Sequence, residues 1–164
     1  MEVATRCQGK VAVVTGRPIK DCFKFLDTHG LRDLFPVCIC MEDAPAKPDP
    51  TGVLLACSKL GMKPSECLMI GDTPDDIKAG KAAGTAAWGV MTPEEEAKLI
   101  LGLIEPSQSM TSSLVASGAD GVMSMGINKL LDLVAPVVAT SLPATPTAPP
   151  ASNTRVGEQI MPDR

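Results

Sequence analysis

The clearest fold signal in this chain is the segment Cys67-Leu-Met-Ile-Gly-Asp-Thr-Pro-Asp-Asp-Ile77. Its first four residues form a short apolar run that predicts a buried strand, and Thr73 followed by proline predicts the start of a helix. Two acidic residues, Asp72 and Asp76, flank that start. A strand that leads through a short turn into a helix is typical of α/β proteins with a parallel sheet.

The same alternation of strand and helix extends over the first 134 residues. Strands are expected at 11–14, 37–41, 67–70, 85–90 and 120–123, and helices at 19–29, 50–60, 73–84, 92–104, 110–116 and 126–134. Short apolar runs fit parallel strands that helices cover on both faces. We therefore predict an α/β fold with a Rossmann-like three-layer parallel sheet, in which ligands bind at the carboxyl ends of the strands.

The chain has 164 residues, which we divide into a folded domain at 1–134 and a tail at 135–164. Sixteen of the twenty residues from Ala135 to Thr154 are Ala, Pro, Thr or Ser. Such a composition cannot bury enough apolar surface to offset the entropy of ordering, so we expect a disordered linker or tail. The remaining 134 residues are enough for one ordinary domain.

Composition excludes several classes of function. A net charge of −4, with three Phe, one Trp and no Tyr, argues against nucleic-acid binding. No apolar run could span a bilayer, and the start of the chain lacks a signal-peptide core, so we expect a cytoplasmic protein. The six cysteines form no C-x-x-C pair, and there is one His, which argues against a zinc site. We expect reduced thiols, with Cys38 and Cys40 on one side of a strand.

Two strand ends offer groups that could bind phosphate. Thr15-Gly16 follows the first strand, and a hydroxyl beside accessible amides can bind phosphate oxygens, although a plain turn has the same sequence. Lys47 lies in a loop with a proline on either side, which would fix the direction of its ammonium. The alternative for Lys47 is an ordinary exposed loop lysine.

The acids at the end of the third strand could hold Mg²⁺, which takes oxygen ligands and keeps several waters. Asp72 ends the strand and Asp76 falls in the first turn of the next helix. For Asp76 a second role is equally consistent with the sequence, because Thr73 and an acid three residues later form a capping box.

These features occur in an order that resembles a known family. The stretches Val13–Arg17, Ala46–Pro50 and Ile70–Ile77 are similar to three of the four signature motifs of the haloacid dehalogenase-like hydrolase superfamily. Segments 79–84 and 116–122 resemble its phosphoglycolate-phosphatase-like members. The resemblance implies transfer of a phosphoryl group from a small phosphorylated metabolite to an aspartate and then to water, with Mg²⁺ as cofactor.

The resemblance also implies a role for each site residue. Thr15 and the amide of Gly16 would bind the phosphoryl oxygens. Lys47 would offset negative charge on the nucleophile and phosphate, and so would take part in catalysis together with Thr15. Asp72 would ligate Mg²⁺, and Asp76, at the second acidic position of the motif, would support that metal site.

One family motif has no counterpart in this sequence. The motif D-x-D-x-[TV] supplies the nucleophilic aspartate, and no D-x-D occurs in the 164 residues. The cap that closes over the substrate would belong to the same missing region. We therefore expect a fragment, incomplete at its N-terminus and inactive as an isolated chain. The missing strand would lie between the strands that end at Thr15 and Asp72, so these edges must meet or stay open.

Alternatives to an incomplete enzyme remain. The chain could be a non-catalytic binding or scaffold module, or part of a larger fused metabolic enzyme, for example with imidazoleglycerol-phosphate dehydratase. A Pro-rich linker is consistent with fused or missing domains on both sides. The opening Gly9–Gly16 also resembles a short-chain dehydrogenase, but Arg17–Cys22 contains no further glycine and the chain has no Tyr, so that class is rejected.

Overall fold

The computed structural model describes Cys7 and residues 9–123, which form five α-helices and five strands. In chain order these are β1 Ala12–Val14, α1 Ile19–Thr28, β2 Val37–Ile39, α2 Thr51–Lys59, β3 Leu68–Gly71, α3 Pro74–Ala83, β4 Ala86–Val90, α4 Pro93–Ile100, α5 Met110–Ala116 and β5 Gly121–Met123. The helix predicted at 126–134 and the tail at 135–164 lie outside the described residues. None of the helices in the described residues has the length and hydropathy that a membrane span requires.

The strands form two parallel sheets. β1 pairs with β2, with Val13 opposite Cys38, and β3, β4 and β5 pair in that order. Within the described residues, β1 and β3 are not hydrogen-bonded to each other. The sequence left open whether the edges of β1 and β3 pair with each other. In the described residues they do not pair.

Helices cover both faces of the first sheet. Neighbouring residues of a strand point to opposite sides and therefore pack against different helices. Val37 and Ile39 pack with Ala56 of α2 on one face. Cys40 packs with Cys22 and Leu26 of α1 on the other face. Half-buried Cys38 joins that second cluster, so the prediction that the two cysteines share one side of the strand is confirmed.

The helices α3 and α5 pack against the second sheet. Ile77, Ala87 and Leu114 are fully buried where these two helices meet β4. α3 begins directly after the carboxyl end of β3, and residues 72–76 at this junction, which include Asp72 and Asp76, form what we call the acidic turn. With helices packed on parallel strands throughout, the predicted three-layer α/β fold is confirmed.

The end of α4 differs from the prediction. We expected the helix to reach Ile104, but it ends at Ile100. Gly102 takes a left-handed conformation, with φ of 65°. Its N–H donates to the carbonyl of Leu99 at 3.1 Å, and the N–H of Leu103 donates to the carbonyl of Lys98 at 2.8 Å. This is a Schellman motif, which satisfies the last carbonyls of the helix and turns the chain away.

Candidate active site

Lys47 connects the end of β1 to the first turn of α3. Its ammonium donates a hydrogen bond to the carbonyl of Val14 at 3.1 Å and forms an ion pair with the carboxylate of Asp76. The two side chains are 22 % and 6 % exposed. The alternative of an ordinary exposed loop lysine is therefore wrong.

Asp76 has both carboxylate oxygens engaged. Oδ1 contacts Lys47, while Oδ2 accepts from the Thr73 N–H at 3.2 Å and the Thr73 hydroxyl at 2.7 Å. The Thr73 hydroxyl in turn accepts from the N–H of Asp76 at 3.3 Å, which completes a capping box. The capping role is confirmed, and the predicted role of Asp76 at a metal stays a prediction.

Gly71 allows this arrangement by its lack of a side chain. A Cβ at position 71 would lie 2.2 Å from the Cβ of Asp76, far inside van der Waals contact. The glycine at the end of β3 therefore lets the buried carboxylate pack directly against the strand.

Thr15 and Gly16 form the turn after β1. The N–H of Thr15 donates to the carbonyl of Ile39 at 2.9 Å, which extends the pairing of β1 with β2. The Thr15 hydroxyl oxygen accepts from the N–H of Arg17 at 3.2 Å, so its own hydrogen remains free to donate. Gly16 is exposed, with open space where a Cβ would stand, and its backbone is therefore accessible.

Glu42 is a residue of this edge to which the sequence assigned no specific role. Both of its carboxylate oxygens accept from the N–H of Ile19, at 3.1 and 3.0 Å, at the start of α1. An acid at the positive end of a helix is favourable, and here it joins the turn after β2 to the turn after β1. Its partner lies 23 residues away in sequence, so no local pattern could have indicated it.

Asp72 lies at the end of β3 and is exposed. Among the described residues, no three His, Cys, Asp or Glu side chains come together in a group that could hold a metal ion. Mg²⁺ in phosphate sites often takes only one or two protein carboxylates and completes its octahedron with water and phosphate oxygens. Asp72 fits such a partial site, whereas the oxygens of Asp76 already contact Lys47 and Thr73.

The predicted residues therefore converge on one edge of the molecule. Lys47 binds the carbonyl directly before Thr15 and the carboxylate four residues after Asp72. The arrangement offers an accessible turn with a free hydroxyl hydrogen, a restrained cation and an exposed carboxylate. Such groups can bind a phosphate and neutralise its charge.

Comparison with known proteins agrees with this arrangement. The model of the family described as haloacid dehalogenase-like hydrolase matches residues 4–84, which contain every predicted site residue. The chain belongs to the haloacid dehalogenase-like hydrolase superfamily. The resemblance inferred from the motifs is therefore confirmed.

Individual relatives lie in the phosphoglycolate-phosphatase-like branch of this superfamily. An N-acetylmuramic acid 6-phosphate phosphatase of Pseudomonas aeruginosa is 38 % identical over 88 residues, which cover 51 % of this chain and 39 % of the relative. A crystal structure of "a predicted phosphoglycolate phosphatase" from Haemophilus somnus superposes with a TM-score of 0.62 at 25 % identity. That match covers 80 % of this chain and 53 % of the other.

A third relative bears the name of a different enzyme. Imidazoleglycerol-phosphate dehydratase of Phytophthora nicotianae is 49 % identical over 138 residues, which cover 84 % of this chain. The match covers only 28 % of the dehydratase. This chain of the haloacid dehalogenase-like superfamily thus spans a minor part of the length of the curated relatives described above.

Proposed function

We propose that this chain supplies the phosphate-binding and magnesium-binding part of a phosphomonoester hydrolase that acts on a small phosphorylated metabolite. The observation that carries the proposal is the position of Lys47. Its ammonium joins the end of β1 to the first turn of α3, next to the turn of Thr15 and the acidic turn of Asp72. Phosphoryl transfer depends mainly on placement and charge neutralisation, which such an edge could supply.

In this proposal the turn after β1 binds the transferred phosphoryl group. The Thr15 hydroxyl would donate to one phosphoryl oxygen, because its lone pair already accepts from Arg17. The exposed amide of Gly16 would donate to another. Two donors fixed by a strand end would hold the phosphate in one orientation before the reaction.

Lys47 would neutralise negative charge during transfer. Its side chain is 22 % exposed, so the ammonium can meet a ligand while Val14 and Asp76 hold it in place. Asp76 would act through this contact, as a positioning residue for Lys47. A restrained point charge loses little entropy on binding phosphate, which favours its use here.

Asp72 would hold Mg²⁺, with water and phosphate oxygens as the other ligands. Bound there, the ion would neutralise charge on the phosphate oxygens. Supporting this role, Asp72 is exposed and the structure gives it no ion pair among the described residues. Its neighbour Asp75 is also exposed but lies 3.9 Å from the ammonium of Lys78.

We further propose that the chain alone does not turn over phosphate esters, because its sequence contains no D-x-D motif to supply a nucleophile. Phosphate release by the pure chain that requires Mg²⁺ and is abolished by Asp72→Asn would contradict this. We propose that the nucleophile comes from further residues of a longer fused protein. The region similar to this chain makes up only 28 % of a longer protein named as a dehydratase, which supports that arrangement.

Calorimetric titration with inorganic phosphate, with and without Mg²⁺, tests the proposed function. We expect Mg²⁺ to tighten phosphate binding, since both would share one site. Asp72→Asn should remove the dependence on Mg²⁺, whereas the matched control Asp75→Asn should keep it. If the chain is a scaffold without a phosphate site, wild type will show no coupling between the two ligands.

A further inference from the structure

Three cysteine thiols lie together between α1 and β2. Cys22 and Cys40 are buried, with 4 % and 2 % exposed, whereas Cys38 is half-buried. The three residues pack in one apolar cluster, in which the thiol of Cys22 neighbours the thiols of both Cys38 and Cys40. In the described part of the chain no three such side chains are placed so that they could share a metal ion. Their proximity therefore favours chemistry between thiols over metal binding.

A surface cleft of about 270 Å³ opens at the amino end of β2, and Cys38 forms part of its wall. We call it the Cys38 cleft. Phe23 and Phe35 supply aromatic surface to it, and Arg32 and Lys59 supply positive charge. The cleft thus gives small molecules access to one thiol of a cluster whose other members are buried.

The cleft carries an excess of positive charge. The guanidinium of Arg32 stacks on the ring of Phe23 at 3.6 Å and lies 3.6 Å from the carboxylate of Asp27, an exposed and weak pair. Lys59 is exposed at the end of α2, and among the described residues it has no ion pair. An anion with a flat apolar body matches this combination of rings and cations.

We propose that the Cys38 cleft is a thiol-modification site for anionic low-molecular-weight disulfides, and that Cys22 completes the reaction by forming a disulfide with Cys38. In the first step the Cys38 thiolate attacks one sulfur of the reagent. A mixed disulfide forms and the other half leaves as a thiolate. In the second step the Cys22 thiolate attacks Cys38 and expels the second half. Two protein thiols are oxidised, one reagent disulfide is reduced to two thiolates, and the two protons of the protein thiols go to solvent.

The order of the two steps follows from access and charge. Cys38 is half-buried on the cleft wall, while Cys22 is 4 % exposed and does not line the cleft. Burial and the neighbouring Cys22 raise the pKa of Cys38. The Arg32 guanidinium lowers this pKa, and the Asp43 carboxylate raises it by a smaller amount. Reactive cysteines lie in accessible, electropositive surroundings, and this description fits Cys38 best.

A second pair of thiols serves as an internal comparison. Cys67 is half-buried and neighbours the buried Cys57. Burial and Cys57 raise the pKa of Cys67 to about 12, and the nearby carboxylate of Glu66 adds to the rise. Carboxylates lie near both accessible thiols, but Arg32 opposes the charge of Asp43 at Cys38, whereas no cation lowers the pKa of Cys67. An anionic disulfide should therefore avoid Cys67.

The test uses two disulfide reagents of different charge on the full chain at pH 8. Dithiobis(nitrobenzoate) is an aromatic dianion, and dithiodipyridine is uncharged. When the wild-type chain reacts with the dianion, we expect the fast phase of the reaction to release two nitrothiobenzoate ions per chain. Peptide mapping should then show a Cys22–Cys38 disulfide. Cys22→Ser should stop at one ion per chain, because the mixed disulfide persists.

Charge recognition is tested by Lys59→Gln, with Lys20→Gln on α1 as the matched control at another exposed lysine. We expect Lys59→Gln to slow the reaction with the dianion by about threefold or more and to leave the rate with the uncharged reagent unchanged. Equal effects on both reagents would overturn the proposal. In the wild-type chain, initial modification at Cys7 or Cys67 instead of Cys38, or a disulfide between Cys22 and Cys40, would also overturn the proposal.

Discussion

The ammonium of Lys47 is bound between the carbonyl of Val14 and the carboxylate of Asp76, so that one side chain joins two sheets that share no hydrogen-bonded strands in the described part of the chain. The ion pair is largely removed from water. It therefore contributes to the fold as well as to the proposed site, and the two roles can be separated by measuring stability and ligand binding independently.

Removing one partner of this pair should destabilise the protein. Lys47→Met would leave the carboxylate of Asp76, which is 6 % exposed, without its cation. We expect a loss of about 2 to 3 kcal/mol in the free energy of unfolding, measured with urea. Lys98→Met is the control, because Lys98 and Glu94 form an exposed pair at 2.7 Å whose loss should cost less than about 1 kcal/mol. Equal costs would contradict the structural role of Lys47.

Gly71→Ala should distort the acidic turn. The new Cβ would meet the Cβ of Asp76 at 2.2 Å, so the strand end or the helix start must move. We expect a loss of about 1 to 3 kcal/mol in thermal or urea unfolding. Gly16→Ala is the matched control, since a Cβ there would meet nothing within 4 Å. If both variants unfold like wild type, Asp76 does not pack as described.

Alkaline conditions should weaken the fold through its buried thiols. Burial, with the adjacent Cys22, raises the pKa of Cys40 from 9.0 to about 12. A thiol with a higher pKa in the folded state favours folding while protonated. Its contribution is present in full below pH 9.0 and is lost as the pH rises toward about 12. We expect urea unfolding to show stability falling over this window, with a shallower slope in Cys40→Ala. Identical slopes would contradict the assignment.

Acid should release the contact of Asp120 with α3 and β4. Its carboxylate accepts from Lys81 and from the N–H of Ala87, at 2.7 and 2.8 Å. The hydrogen bond from Lys81, followed by that from Ala87, lowers the pKa of Asp120 below 3.8. The stabilisation is therefore present above pH 3.8 and lost as the pH falls through the lowered value. In acid unfolding followed by circular dichroism, Asp120→Asn should flatten this loss, and Asp75→Asn should not.

Local patterns were sufficient to predict most elements of this fold. Thr73 and Asp76 lie three residues apart, and their capping box was foreseen because each partner is visible in the same short stretch. The end of α4 was missed although Gly102 carries the signal for it. The apolar run through Ile104 continued the helical period, and the left-handed glycine overrode that period.

Contacts between distant residues could not be predicted in the same way. Lys47 was singled out by its stiff loop, but its partner Val14 lies 33 residues away. Glu42 was missed for the same reason, since its role depends on where α1 begins in space. The positions of Thr15, Lys47 and Asp72 were predictable through the rule that parallel strands share one carboxyl edge, whereas the pairing of cations with acids there was not.

In the proposed function, Thr15, Lys47 and Asp72 form one site for phosphate and a divalent cation. The most direct measurement replaces Mg²⁺ by paramagnetic Mn²⁺ in the presence of inorganic phosphate and records amide resonances of the full chain. A single shared site predicts the strongest broadening at Gly16 and Asp72, removed by Asp72→Asn, and weaker broadening at Arg32, which precedes β2. Broadening confined to other acidic residues, or unchanged by Asp72→Asn, would contradict it.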